Sequence, residues 1–317
     1  MSQGYQHRPV MVDEVSAILG EAPPGVVVDA TVGGGGHARA LLQAHPHLRV
    51  VGLDRDPDAV AAAGAALAPF GERAMVRRAR FDDLAEVVAD LEVDGEVTGA
   101  LFDLGVSSPQ LDRPDRGFSY REPGPLDMRM DPDAPRTAAD VVNTYDEAEL
   151  ARLFAESGER RFARRIARAV VSRRPLSTTT ELADVVRDAI PAAARRHGGH
   201  PARRAFQAIR IEVNGELEVL GPAIDAALAV LLPGGRAVTL AYHSGEDRIV
   251  KERFRGAATG GCTCPPGLPC TCGAVPTVRL LNRGARKPSA AEVATNPRAE
   301  AARLRAVEKL GIESRAA

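Results

Sequence analysis

Short apolar runs alternate with helix-period stretches through the first hundred residues of the chain. VVVDAT (residues 26–31), RVVGLD (49–54) and GALFDLG (99–105) are continuous apolar runs closing on small or acidic residues, the pattern of strands buried on both faces. AMVRRARF (74–81) reads as a further strand, although arginines interrupt it. Between them, HARALLQAH (37–45), PDAVAAAGAAL (57–67) and LAEVVADL (84–91) repeat apolar residues at helical spacing, and the second opens with proline at a first helical position. Repeated strand–helix–strand units of this length predict an α/β fold: a doubly wound, mostly parallel sheet with helices on both faces.

The rhythm breaks after Gly105. Residues 109–135 are rich in Pro, Asp, Arg and Gly and read as an ordered loop. Helical patterns follow. A capping box is expected at Thr144 and Glu147, another at Thr178 and Glu181, and the arginine-rich helix between them should stop before Pro175. Sheet rhythm resumes with ELEVLGPAIDAALAVL, a PGG turn and the strand RAVTLAYHS (236–244). The reading is one α/β domain (1–137 and 207–317) interrupted by an all-helical insert (138–206), with a Cys-rich insertion at 262–272.

Charge sharpens this picture. The 317 residues carry a formal charge of -1, so the molecule is no polycation and any nucleic-acid footprint must be local. The insert is different: residues 151–212 hold 14 Arg, no Lys and six acids, a local +8 against -9 elsewhere. One reading is a solvated helical face. The other is a phosphate-binding face, since guanidinium binds phosphate oxygens in bidentate fashion. No run of about 18 apolar residues suggests a membrane span, and MSQGYQHRPVMVDEV has no apolar signal region, so a cytoplasmic protein is expected.

DATVGGGGHARAL joins the first predicted strand to the first helix. Gly33, Gly34, Gly35 and Gly36 permit close backbone approach, and the helix that follows offers free N–H groups. Asp54 ends the next strand about 20 residues on, where a carboxylate accepts ribose hydroxyls. Gly33, Gly35 and Ala38 also satisfy the dinucleotide pattern, which keeps a nicotinamide enzyme open. Three features favour S-adenosylmethionine. The loop enters through an acid, Asp29, unhelpful to a pyrophosphate. The FDD at 81–83 places a ring and carboxylates after the third strand. The fourth strand runs into DLGVSSPQ, which suits no hydride transfer.

SSPQ (107–110) bears on the reaction. An exocyclic amino nitrogen has its lone pair delocalised into the ring, and a small polar turn that accepts its two N–H bonds holds it toward a methyl donor. SSPQ resembles the Ser-Pro turn of enzymes that methylate cytosine N4, but lacks their second proline and aromatic. A stacking ring must then come from elsewhere, with Phe118, Tyr120 and Tyr242 as candidates. The alternative is a plain turn or helix cap.

Across nearly its whole length the chain resembles the bacterial 16S ribosomal RNA cytosine-N4 methyltransferase family (RsmH, formerly MraW). The matching segments include HRPVMVDEV, DATVGGGGHARALL, VGLDRDPDA, FDLGVSSPQLD, RRFARRIARAVV, RAFQAIRIEVNGELE and LPGGRAVTLAYHSGEDRIVK, in family order. The resemblance implies a Rossmann-like class I methyltransferase with an inserted helical, substrate-recognising domain. It implies an S-adenosylmethionine cofactor held by Gly33, Gly34, Gly35, Gly36, His37, Asp54, Phe81, Asp103 and Gln110. Asp103, Ser107, Ser108 and Pro109 would form the catalytic corner. Arg116, Phe118, Tyr120, Arg164, Arg165, Tyr242 and His243 would meet the substrate, 16S rRNA in the small ribosomal subunit or its late precursor. Homodimerisation stays open. Gly245 stands where the family commonly has leucine. A DNA amino-methyltransferase and a non-catalytic RNA-binding assembly factor are the alternative readings.

Cys262, Cys264, Cys270 and Cys272 form C-x-C-x5-C-x-C. Four thiolates at such range suit a structural Zn²⁺; reduced thiols and redox pairing are the alternatives.

Overall fold

The computed structural model describes residues 9–93, 95–196, 200–265 and 271–311. The chain divides into two compact units, one formed by the chain up to Gly105 and from Leu217 onward, the other by Val106–Glu216.

The first unit is built on seven strands: β1 (Gly25–Asp29), β2 (Leu48–Asp54), β3 (Ala74–Arg78), β4 (Val97–Asp103), β5 (Arg236–Ala241), β6 (Val278–Leu280) and β7 (Arg303–Lys309). Their order is β3-β2-β1-β4-β5-β7-β6. The first five pair in parallel, and β7 runs antiparallel to both β5 and β6. Residue alternation along each strand feeds two cores. Val26 and Val28 of β1 pack with Leu84, Val88, Leu220, Ile224 and Phe254, whereas Val27 joins Val15, Leu19, Leu41 and Leu240 on the other face. Burial on both faces is why β1, β2 and β4 read as unbroken apolar runs. Strand order reverses between β1 and β4, the place where ligands of such sheets bind, beyond the carboxyl ends of the strands.

The second unit is helical, and its core joins Val141, Leu150, Phe154, Ile166, Val186 and Phe206 to Phe118, Leu126, Met128 and Met130. It is therefore wider than the 138–206 insert expected from sequence: the Pro- and Arg-rich loop belongs to it because that loop's apolar residues enter its core. Buried Asn214 ties the loop down, donating to the Met128 carbonyl at 2.7 Å and accepting from Met130 N at 2.8 Å.

One expected cap moves. Thr144 ends the helix Ala138–Thr144, and the next helix, Glu147–Glu156, is capped by Asp146 with Glu149 closing the box. An aspartate carboxylate outcompetes the threonine two residues earlier as the N-terminal acceptor. The Thr178–Glu181 box stands as expected.

Candidate active site

The bend after β1 turns on two glycines in left-handed conformation, Gly33 (φ +50°) and Gly35 (φ +78°). A Cβ on Gly35 would lie 3.3 Å from Ala63 Cα, and one on Gly36 would strike Pro9 Cγ at 2.4 Å; Gly34 has nothing within 4 Å. Glycine is needed at both positions after Gly34 for different reasons: backbone angle and packing at Gly35, space alone at Gly36. Val32 N donates to Leu53 O at 2.8 Å, tying the bend to the end of β2, and Gly33 N donates to Asp54 Oδ2 at 3.0 Å. Asp54 Oδ1 accepts from Asp56 N at 2.9 Å. Each carboxylate oxygen holds one N–H and keeps a further lone pair. Burial holds this carboxyl above the usual range, despite those two N–H groups.

Asp29 and Asp103 end β1 and β4, the two strands flanking the reversal. Asp29 is 1% exposed, and burial pushes its carboxyl up to about 7, with Asp103 and Asp54 adding repulsion. His37 opens the helix Gly36–Ala44. Its Nε2 lies 3.4 Å from Asp103 Oδ2, near enough for charge pairing but not aligned as a hydrogen bond, and both ring nitrogens are buried without a hydrogen-bond partner among the described residues. Burial alone would push this imidazole down; Asp103 and Asp29 outweigh it and hold it above its usual value. Asp103 is fixed from two sides: its N donates to Thr31 Oγ1 at 2.7 Å, and Tyr242 donates its hydroxyl to Asp103 Oδ1 at 2.7 Å. Burial, then Asp103, drive the Tyr242 phenol well above its usual value, so it stays a donor.

The structure thus brings together Gly33, Gly34, Gly35, Gly36, His37, Asp54, Asp103 and Tyr242. Phe81 stands apart from this network, edge-on to Phe102 with centroids 6.1 Å apart. His243 is occupied: its Nδ1 accepts from Gly245 N and Glu246 N at the start of the helix Ser244–Thr259. Thr31 and buried Glu246, which accepts from Tyr242 N and His243 N, are parts of the site that the sequence did not single out.

In the helical unit, Ser107 precedes the short helix Ser108–Asp112, and buried Gln110 turns its Oε1 back to accept from Ser107 N at 3.1 Å. The SSPQ corner is therefore a self-braced turn whose Ser107 and Ser108 stay partly exposed. Two substrate-contact expectations need correction. Phe118 is 5% exposed inside the helical core and offers no ring face to a base. Arg116 spends its guanidinium on the carbonyls of Arg129 and Met130, both at 3.1 Å, which pins the loop. Tyr120 is half-buried and stacks on His200 with centroids 4.4 Å apart. Arg164 and Arg165 lie exposed on the helix Ala163–Ser172, without an ion pair among the described residues. A groove of about 470 Å³ beside them is lined by Arg165, Arg168 and Arg173, with Asp188 already paired to Arg187 at 3.0 Å.

The model of the MraW methylase family matches residues 4–310. The chain belongs to that family. Curated relatives agree over full length. The Ribosomal RNA small subunit methyltransferase H of Saccharopolyspora erythraea is 54% identical over 96% of this chain and 94% of its own. The proteins of that name from Thermobifida fusca and Heliobacterium modesticaldum are 53% and 50% identical, over 96% of this chain and 93% and 99% of theirs. Family and sheet together make this a methyltransferase with the Rossmann-like class I fold. In a member of this family, the glycine bend, His37 and the three strand-end aspartates are the residues to test first. No described helix is long and apolar enough to cross a membrane.

Proposed function

We propose that this protein uses S-adenosylmethionine to methylate N4 of a decoding-site cytidine in 16S rRNA, acting in the cytoplasm on the small ribosomal subunit or its late precursor. The observation that carries the reading is the gathering of Asp29, Asp54 and Asp103 at the glycine bend. Three carboxylates beside one loop favour a ligand with cationic sulfonium and ammonium groups and repel a pyrophosphate. The nitrogens of buried His37, which have no hydrogen-bond partner among the described residues, and the open side of Gly34 fit a polar ligand of that kind. The names of the relatives supply the substrate class.

In this reading Asp54 accepts the ribose hydroxyls, Asp29 takes the ammonium, and Gly34, Gly35 and Gly36 let the ligand approach the backbone. Phe81 lies beside the adenine, and Gln110 fixes the shape of the Ser107–Pro109 turn by accepting from Ser107 N. Bound there, S-adenosylmethionine supplies an electrophilic methyl carbon whose bond to sulfur breaks as the bond to N4 forms. The hydroxyls of Ser107 and Ser108, with the Pro109 carbonyl, accept the N–H bonds of the target amine and fix its lone pair. Tyr242 holds Asp103 in place through its hydroxyl. The extra proton on N4 leaves to water, so no strong base is required. Enzymes acting on a base draw it out of its stack, and the arginines of the helical unit hold the backbone meanwhile.

The Ser107→Ala/Ser108→Ala double variant tests the corner. Its kcat on small subunits should fall about 100-fold, the scale on which misplacement of a reacting group acts. S-adenosylmethionine affinity by calorimetry should change less than about threefold. Unchanged kcat removes the corner from catalysis; methylation of duplex DNA in preference to small subunits replaces the substrate reading.

A further inference from the structure

The connection from the helix Ser244–Thr259 to β6 has little apolar material to hold it. Described residues between 260 and 277 form no helix or strand, and Val275 is 49% exposed. The segment leaves and returns at one neck, where Thr277 N donates to Ala257 O at 2.9 Å. Its two limbs run close there: a Cβ on Gly260 would sit 2.5 Å from the Val275 backbone. A long irregular excursion of this kind pays conformational entropy with no core in return.

What converges instead is sulfur. Cys262, Cys264 and Cys272 bring their Sγ atoms within 4.8 Å of one another, and Cys262 and Cys272 approach to 3.6 Å. A disulfide requires about 2.05 Å. Tetrahedral zinc with zinc–sulfur bonds of about 2.3 Å sets its sulfurs roughly 3.8 Å apart, close to the Cys262–Cys272 separation and within the 4.8 Å that bounds all three. The expected fourth cysteine, Cys270, lies outside the described residues.

We infer that Cys262, Cys264 and Cys272 bind a structural zinc ion that pins this connection to the edge of the sheet. The metal takes no part in methyl transfer and does not depend on the reading of the active site. Soft thiolates select zinc over magnesium or calcium, and metal binding supplies folding free energy that the segment lacks.

The test uses the full chain, purified under reducing conditions without chelator, with plasma mass spectrometry for metal. About one zinc per chain is expected, falling below a tenth in the Cys262→Ser/Cys264→Ser/Cys272→Ser variant. Cobalt added to metal-stripped parent protein should produce the charge-transfer and visible bands of tetrahedral thiolate coordination, and none in the variant. Zinc removal should speed proteinase K cleavage within residues 260–277 at least tenfold, a measurement on the parent protein that needs no variant. Zinc absent from the parent after zinc addition and dialysis, equal zinc in parent and variant, or a disulfide among these cysteines in anaerobically purified protein would each overturn the inference.

Discussion

Asp29→Asn should bind S-adenosylmethionine about 100-fold more weakly and yet unfold at a higher temperature than the parent protein. Both effects follow from one buried carboxyl. Asp29 is 1% exposed, and burial lifts its pKa from 3.8 to about 7. Between those two values the folded protein keeps a proton that the unfolded chain has released. Stability therefore falls as pH rises through that window and stays low above about 7. Roughly three pH units at about 1.4 kcal/mol each set a ceiling of about 4 kcal/mol. Asparagine never ionises, keeps an oxygen for the Thr31 N–H at 3.3 Å and escapes that loss. The melting-temperature gap should be near zero at pH 4, widen toward pH 7 and then hold. Binding runs the other way. An ammonium needs the carboxylate, so parent affinity should rise from pH 6 to 7.5 as Asp29 gives up its proton, and loss of a charged hydrogen bond costs about 1.5–3 kcal/mol. Titration calorimetry and thermal melts across that range check both. Equal affinity in the two proteins would place the ammonium elsewhere.

Arg164→Glu/Arg165→Glu should lower kcat/KM on small subunits by one to two orders of magnitude with little change in affinity for S-adenosylmethionine. Both guanidinium groups are exposed and unpaired among the described residues, so their loss uncovers no buried partner and the fold should survive. Each phosphate contact removed should cut the salt slope of binding by about 0.7 to 0.9. The double variant should therefore show a slope shallower by about 1.5, measured by filter binding to small subunits between 50 and 200 mM salt. Arg174 is the contrast. Its guanidinium is spent on the carbonyls of Val142 and Tyr145, so its replacement by alanine should lower the melting temperature. An unchanged salt slope in the double variant would return the arginine-rich helix to a solvated face.

The strands that carry the site were legible because burial on both faces leaves an uninterrupted apolar signal. Asp29, Asp54 and Asp103 stood out as acids closing such runs, and the glycine bend needed only its spacing. β7 was harder. RLRAVEK has charges at every second position until the Val307 step, and those charges are answered by distant residues: Arg305 by Asp247 at 2.8 Å, Glu308 by Arg236 at 3.0 Å. Only the folded chain reveals those partners. Phe118 and Arg116 misled for the opposite reason, since a ring and a guanidinium in a polar loop look available until the loop's own core is seen. Thr31 was invisible because its role is one hydroxyl accepting the Asp103 N–H from another strand. Tyr242 was noticed as a ring, whereas its contact in the fold is made by its oxygen. The helical unit's limits were misjudged at 138–206 because the core residues of the preceding loop are scattered singly among prolines and arginines.

The most direct test of the central claim is mass spectrometry of 16S rRNA nucleosides and fragments from cells lacking this protein. One N4-methylated cytidine in the decoding-site fragment should disappear, and it should return with the parent gene but not with a variant carrying Asp103→Ala. A fragment whose mass is unchanged by the deletion, or a mark restored by the Asp103→Ala protein, would contradict the claim.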